Sequence, residues 1–295
     1  MTNLRKMLRV VFLGLCLLGI PGCSHAWKQP QSWGAVQTPS PASASEPIGS
    51  YDAGCIRAAR ELPGGAAWLL SHPERRRDFG DPTLVKFIED LSHHVPSGSR
   101  LRVGDLGQPR GGPLNSSHAS HQIGLDADIE YQLEPGIQPG AASPPSRWAR
   151  SVLAADHMSF ERGRWGRAQV DLLRAAAQDA RVARIFVHPT VKVRLCRTLV
   201  EPLDWITKLR PWPGHDDHFH VRLHCPAGAP LCREQPEPPW GSGCFEAQVA
   251  QAKQVAAELA PPAPRGEPAP DAQARDRAVR EYDLPSECRA VLEAK

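Results

Sequence analysis

The chain has 295 residues, with 35 Lys+Arg against 32 Asp+Glu. Arg5, Lys6 and Arg9 fall within the first nine positions and no acid occurs in the first 26, so the remainder is charge-balanced at 32 of each. Such a balance lacks the electrostatic footprint of a nucleic-acid or acidic-membrane binder, and about 270 residues suit one large domain or two small ones.

The three early basic residues precede VVFLGLCLLGI (10–20), an apolar run too short to cross a bilayer as a helix. Together they predict an export signal over residues 1–26. Two processing routes fit it: cleavage after Ser24-His25-Ala26, or acylation of Cys23 in Ile20-Pro21-Gly22-Cys23 as a lipid anchor. Either route leaves Cys55, Cys196, Cys225, Cys232, Cys244 and Cys288. In an exported chain this even set is expected to form disulfides, and it lacks the close CxxC pairs of a structural zinc site. No second apolar run of spanning length follows, so no transmembrane helix is expected in the mature chain.

Residues 27–50 are rich in Pro, Ser and Ala without apolar periodicity and read as a flexible arm. DPTLVKFIEDLSHH (81–94) has helical spacing behind an Asp-Pro start, with His93 and His94 complementing its last turn. LRVGDL (101–106) reads as a short strand and GQPRGGPLNSS as a loop. LDADIEY (125–131) alternates strictly, placing Asp126, Asp128 and Glu130 on one face of a half-buried strand. GRAQVDLLRAAAQDA (166–180) predicts a helix with Val170, Leu173 and Ala177 on one stripe, and RIFVHP (184–189) a buried strand. TVKVRLCRTL and EPLDWITKL read as two short helices before RPWPG, a turn. In HFHVRLHC (218–225), His218, His220, Arg222 and His224 share one strand face. Residues 259–285 return to a Pro- and Ala-rich linker before a short helix carrying Cys288. The mixture predicts an α+β fold with a small antiparallel sheet, flanked by helices and stapled by disulfides. Its body spans 51–258, and 259–295 is a tail anchored through Cys288.

If the two polar-faced strands are neighbours, Asp128 faces His220, and His121 arrives from the loop entering the first strand. Two imidazoles and a carboxylate form a zinc site with one open position, as catalytic zinc requires. Asp126 and Glu130 share that face. They read either as partners orienting the ligand imidazoles or as a solvated strand face. Asp216 and Asp217 are ambiguous in the same way. Trp148, Trp165, Trp205 and Trp212 read as core or groove wall, with Trp212 placed to floor a substrate groove.

HASHQIGLDADIE followed by RPWPGHDDHFHVRLHCP resembles the penicillin-insensitive murein endopeptidases, within the wider lysostaphin and D-Ala-D-Ala carboxypeptidase group of zinc peptidases. The shared signature is a His, an Asp seven residues on, and a distant His-x-His. Here these are His121, Asp128 and His218-Phe219-His220. The likeness runs roughly from Cys55 to Cys288. It implies His121, Asp128 and His220 as Zn²⁺ ligands, His218 and His215 as active-site histidines off the metal, and His118 as a neighbour that either ligates or orients. It also implies the pairs Cys55–Cys288, Cys196–Cys244 and Cys225–Cys232. Asp156 and His157 are adjacent, a spacing that departs from the further Asp and His of some members and speaks against a second metal. The implied activity is periplasmic hydrolysis of peptidoglycan cross-links between D-alanine and diaminopimelate. Three rival readings remain: a D-Ala-D-Ala carboxypeptidase, which needs a cation for the terminal carboxylate; a zinc-stabilised binding module without turnover; and a phosphodiesterase, which needs more bridging carboxylates.

Overall fold

The computed structural model describes residues 30–114, 118–136, 148–199, 204–239, 241–259 and 284–295. The expected export signal with Cys23, and nearly all of the expected 259–285 linker, lie outside them.

The segment expected to be a flexible arm is folded where it is described. It forms a short helix, α1 (Pro30–Gly34), and a strand, β1 (Glu46–Ser50), which pairs antiparallel with β2 (Ala53–Arg57). Trp33 and Ile48 are buried beside Cys55, Leu284, Cys288 and Val291. Two well-placed apolar side chains anchor the segment without any periodicity to announce them.

Strand β3 (Arg60–Glu61) is followed by β4 (Trp68–Leu70) and β5 (Phe79–Gly80), which pairs with β3. Helix α2 (Pro82–Leu91) starts as its sequence directs: Asp81 accepts a hydrogen bond from the Thr83 N–H at 2.9 Å, and Pro82 needs no partner for a missing N–H. Its stripe of Leu84, Val85, Phe87, Ile88 and Leu91 is buried. Next come β6 (Ser99–Val103), β7 (Asp126–Glu130), β8 (Glu134–Pro135) and α3 (Arg167–Gln178). Leu172, Leu173, Ala176 and Ala177 form the buried stripe of α3, while Val170 is only half-buried. Strand β9 (Val182–Val187), helix α4 (Pro189–Thr198), a 3₁₀ turn at Asp204–Lys208, β10 (Leu209–Pro211), β11 (His218–Leu223) and α5 (Cys244–Leu259) complete the body.

The class is α+β, but the sheet is larger than expected and mixed. Six strands run in the order β10-β9-β11-β7-β6-β4, with β8 added on β6. β11 is antiparallel to both its neighbours, whereas β10 is parallel to β9 and β4 is parallel to β6. Part of the expected helix and turn over 201–215 is therefore a strand. A parallel return needs a crossover, which α4 and the 3₁₀ turn supply. Helix α5 was not anticipated at all; Cys196–Cys244 ties it to α4. Cys225–Cys232 closes the loop after β11, and Cys55–Cys288 fastens the C-terminal helix Glu287–Glu293 to β2. Arg110 Nη1 donates to the carbonyls of Val291, Leu292 and Ala294 at the end of that helix.

Ala127, Ile129, Phe219, Val221 and Leu223 pack into one core with α2 and α3. That leaves the opposite face of β7 and β11 for something other than packing.

Candidate metal centre

The register between β7 and β11 places His220 opposite Asp128, Arg222 opposite Asp126 and His218 opposite Glu130. Every residue of β7 is buried, so the face expected to be half in water is closed on both sides.

The three acids on that face have different fates. Asp126 is fully buried and accepts Arg222 Nε at 2.8 Å and Nη2 at 3.2 Å. Glu130 is buried against Arg102, whose Nε is 2.5 Å away, and also accepts from the Ser71 hydroxyl. The solvated-face reading of these two acids is thus overturned. Asp128, between them, meets no arginine among the described residues. It is ringed by imidazoles: His220 Nδ1 at 3.3 Å, His121 Nε2 at 3.4 Å and His218 Nε2 at 3.5 Å from its Oδ1, with His118 Nδ1 3.8 Å from its Oδ2. A buried carboxylate facing only imidazoles invites a cation.

His121 is held in a defined tautomer. Its Nδ1–H donates to the Leu106 carbonyl at 2.6 Å, so Nε2 is the ring nitrogen that faces Asp128. His121 Nε2 and Asp128 Oδ1 are both buried without a hydrogen-bond partner among the described residues, a costly arrangement unless an ion satisfies them. The His121 backbone has φ 67°, left-handed for a non-glycine residue. The Asp126 carboxylate accepts its N–H at 3.0 Å. Three residues on, Gly124 also has positive φ, and a Cβ there would sit 2.7 Å from the Ile56 side chain. The chain can therefore turn from His121 into β7 only through glycine.

One donor atom each from His118, His121 and Asp128 lies within 4.8 Å of the others, and His220 joins them through its contact with Asp128. Two or three imidazole nitrogens and one carboxylate oxygen form the donor set of catalytic zinc, so these residues fit the ion.

His218 Nδ1 lies 2.5 Å from Asp217 Oδ1, which turns its Nε2 toward Asp128. His215 lies beside it, ring centres 4.9 Å apart, on a loop pinned by main-chain bonds. In that loop, the Trp212 N–H donates to Val187, and the Asp216 and Asp217 carbonyls accept from Val152 and Tyr131. The His188 N–H reaches the His215 carbonyl. Burial and the neighbouring imidazoles push His215 down to about 3, so it is neutral. Burial likewise lowers His118 to about 4, against the pull of Asp128. For His121 and His218 burial also acts downward, but Asp128 outweighs it and lifts each to about 9, helped at His218 by Asp217. Asp126 and Asp128 resist the upward push of burial and stay well below the carboxylate range, through Arg222 and His220 for the first and His121 and His218 for the second.

Several candidates fall outside the centre. His93 and His94 are exposed, and His224 pairs with Glu234. Asp156 is exposed and closes its own turn, accepting from the Met158 and Ser159 N–H groups and the Ser159 hydroxyl. Trp165 and Trp205 pack against the core, whereas Trp148 and Trp212 are exposed, at 71% and 57%. Trp212 packs edge-on to Phe186, whose ring in turn meets His220. Sequence reading missed Asp105, whose Oδ2 lies 3.6 Å from His118 Nε2 and which is paired with Arg77. It also missed the Leu106 carbonyl. Neither had a periodic signal, since both lie in the irregular stretch after β6.

His121, Asp128 and His220, with His118 beside them, form a group that could hold a metal ion on an α+β scaffold. Comparison with known proteins then gives the family. Residues 47–293 match the family model described as penicillin-insensitive murein endopeptidase, and the chain belongs to that family. It is 37% identical over 222 residues to the penicillin-insensitive murein endopeptidase of Haemophilus influenzae, covering 73% of this chain and 77% of that one. To the protein of the same name from Salmonella paratyphi B it is 40% identical over 224 residues, covering 72% and 78%.

Proposed function

We propose that this chain is a zinc-dependent endopeptidase that hydrolyses the peptide cross-links of peptidoglycan, at the D-alanyl–meso-diaminopimelyl bond, in the periplasm. Family membership supports the peptidase class and the cell-wall substrate. The observation that carries the metal is the β7–β11 register, which sets His220 against Asp128 beneath His121.

His121, Asp128 and His220 would hold the ion, with His118 beside it. When bound, Zn²⁺ supplies Lewis acidity toward the scissile carbonyl and a water acidic enough to attack near neutral pH. The chain's own groups do the rest. His218, held at Nδ1 by Asp217, presents Nε2 to the reacting atoms, where it moves a proton or stabilises the developing oxyanion. His215, kept neutral by its surroundings, hydrogen-bonds the leaving amine or the peptide beside it. Trp212, exposed and packed on the Phe186 ring that meets His220, offers an apolar surface beside the centre to a polymer that cannot enter a closed pocket. No acyl-serine is formed in such chemistry, so β-lactams have nothing to trap.

The carboxypeptidase reading needs a cation near the centre for a terminal carboxylate, but Arg102 and Arg222 are committed to Glu130 and Asp126, and Arg75 and Arg77 both pair with Asp105 beside His118. Among the described residues no helix is long and apolar enough to cross a membrane. The signal over 1–26 would be processed either by cleavage after Ala26 or by acylation of Cys23.

The test is digestion of purified cross-linked peptidoglycan with mass analysis of the fragments. Cross-linked dimers should become monomers, stop doing so under chelator and resume with added zinc. Release of free D-alanine alone, or cleavage indifferent to chelator, would contradict the proposal.

A further inference from the structure

Asp126 touches both histidines of the proposed centre, and through different atoms. Its Oδ2 accepts the main-chain N–H of His121 at 3.0 Å, the residue held at positive φ. Its Oδ1 lies 3.0 Å from the ring Nε2 of His220, close but not aligned as a hydrogen bond. Both oxygens also receive Arg222, through Nε and Nη2, so the carboxylate cannot rotate away from either task. The guanidinium is itself fixed: it lies 4.2 Å from the centre of the Tyr51 ring, and its Nη1 donates to Gln235. Asp126 is fully buried and Arg222 nearly so.

Glu130 has the same chemistry two residues along the same face. It too is buried and arginine-paired, but its hydrogen bonds go to Arg102 and Ser71 and to no histidine. The two acids therefore separate the cost of a buried ion pair from an effect on the centre.

We propose that Asp126 is the positioning residue of the metal centre. A single carboxylate, locked by Arg222, fixes the backbone turn that delivers His121 and stands against the Nε2 edge of His220, so that Nδ1 is the ring nitrogen turned toward Asp128 and the ion. This rests on the reading of His121, Asp128 and His220 as ligands. Because one acid serves two ligands, its loss loosens both at once. Partners that orient metal-binding imidazoles typically carry 10- to 100-fold in affinity, and the upper end of that range applies here.

The experiment measures Zn²⁺ affinity by competition with a chromophoric chelator, and the visible spectrum of the Co²⁺-loaded protein, on the mature chain. Asp126→Asn should bind zinc about 100-fold more weakly than wild type and show altered cobalt band intensities. Glu130→Gln, which also breaks a buried pair, should bind zinc within about threefold of wild type with an unchanged cobalt spectrum. If Asp126→Asn does not fold, the double variant Asp126→Leu/Arg222→Met removes both charges together, which buried pairs often tolerate, and should show the same affinity loss. Wild-type affinity and spectrum in the Asp126 variants would overturn the proposal. So would an equal loss in Glu130→Gln, which would mark a general effect of destabilisation. A wild-type chain that binds neither zinc nor cobalt would bring down the ligand reading itself.

Discussion

The two faces of β7 and β11 are equally dry and made of opposite chemistry. On one, Ala127, Ile129, Phe219, Val221 and Leu223 close a core with α2 and α3. On the other, Asp126, Asp128, Glu130, His218, His220 and Arg222 are buried or nearly so. A residue on the first face contributes by the volume it fills, and a substitution there is felt as lost packing. A residue on the second must be matched by a partner of the right charge and direction. Two of its three acids have found an arginine, while the third has only imidazoles. Stability and function are thus divided between the faces of the same two strands, and substitutions should sort accordingly.

His220→Ala should cause the largest change. It is expected to abolish tight zinc binding and lower cross-link hydrolysis by at least about 10³-fold, because a ligand and the Lewis acid go together. Zinc content by elemental analysis and turnover on isolated peptidoglycan check both halves. Full zinc occupancy in the variant would mean that the polar face does not bind the ion.

His218→Ala, from the same face, should behave differently. It should keep its zinc while its rate falls by roughly 10²- to 10³-fold, the scale of losing an acid–base or oxyanion group. Near-normal turnover in the loaded variant would remove His218 from the reaction.

The metal-free protein should respond to pH in part through the polar face. His121 and His218 are both raised to about 9. The stability they contribute as cations beside Asp128 is present below about pH 6.5, their unfolded range, and is lost as pH rises toward 9. His215 and His118 are lowered, to about 3 and about 4, so they act the other way and cost stability as pH falls below about 6.5 toward those values. Because His121 must give up its proton to ligate, zinc binding should release a proton below pH 9. Apparent affinity should then rise up to ~10-fold per pH unit before levelling. Calorimetry in buffers of different ionisation enthalpy reads that proton directly, and a pH-independent affinity between 7 and 9 would contradict it.

The smallest effect belongs to the apolar face. Ile129→Val should cost only about 0.5–1.5 kcal/mol in thermal or denaturant unfolding. Zinc affinity and turnover should stay at wild-type levels, although Ile129 lies next to Asp128 in the chain. A loss of metal in this variant would show that the faces are not independent.

The polar faces were legible in the sequence because strict alternation is a strand's own signature, and Asp126–Asp128–Glu130 and His218–His220–Arg222 carry it without interruption. Their pairing was legible because only neighbouring strands could make use of both. What the alternation could not show was cover: an acid every second residue looks the same whether water or Arg102 and Arg222 lie above it. Asp105 and the Leu106 carbonyl escaped notice because irregular backbone has no period. Strand β10 was hidden in a proline-rich stretch that composition marks as a turn. The folded part of the 27–50 segment buries Trp33 and Ile48 and pairs β1 with β2, none of which shows as periodicity, and α5 lies beyond the last motif, in a run of Ala and Gln with little amphipathic contrast.

The central claim is that one ion sits between β7 and β11 on His121, Asp128 and His220. Anomalous diffraction at the zinc edge, on crystals of the zinc-loaded protein, tests it most directly. A single strong peak about 2.0–2.2 Å from His121 Nε2, an Asp128 oxygen and His220 Nδ1 is the expected result. A fully loaded protein whose peak lies away from Asp128, or lacks either histidine as a neighbour, would contradict it.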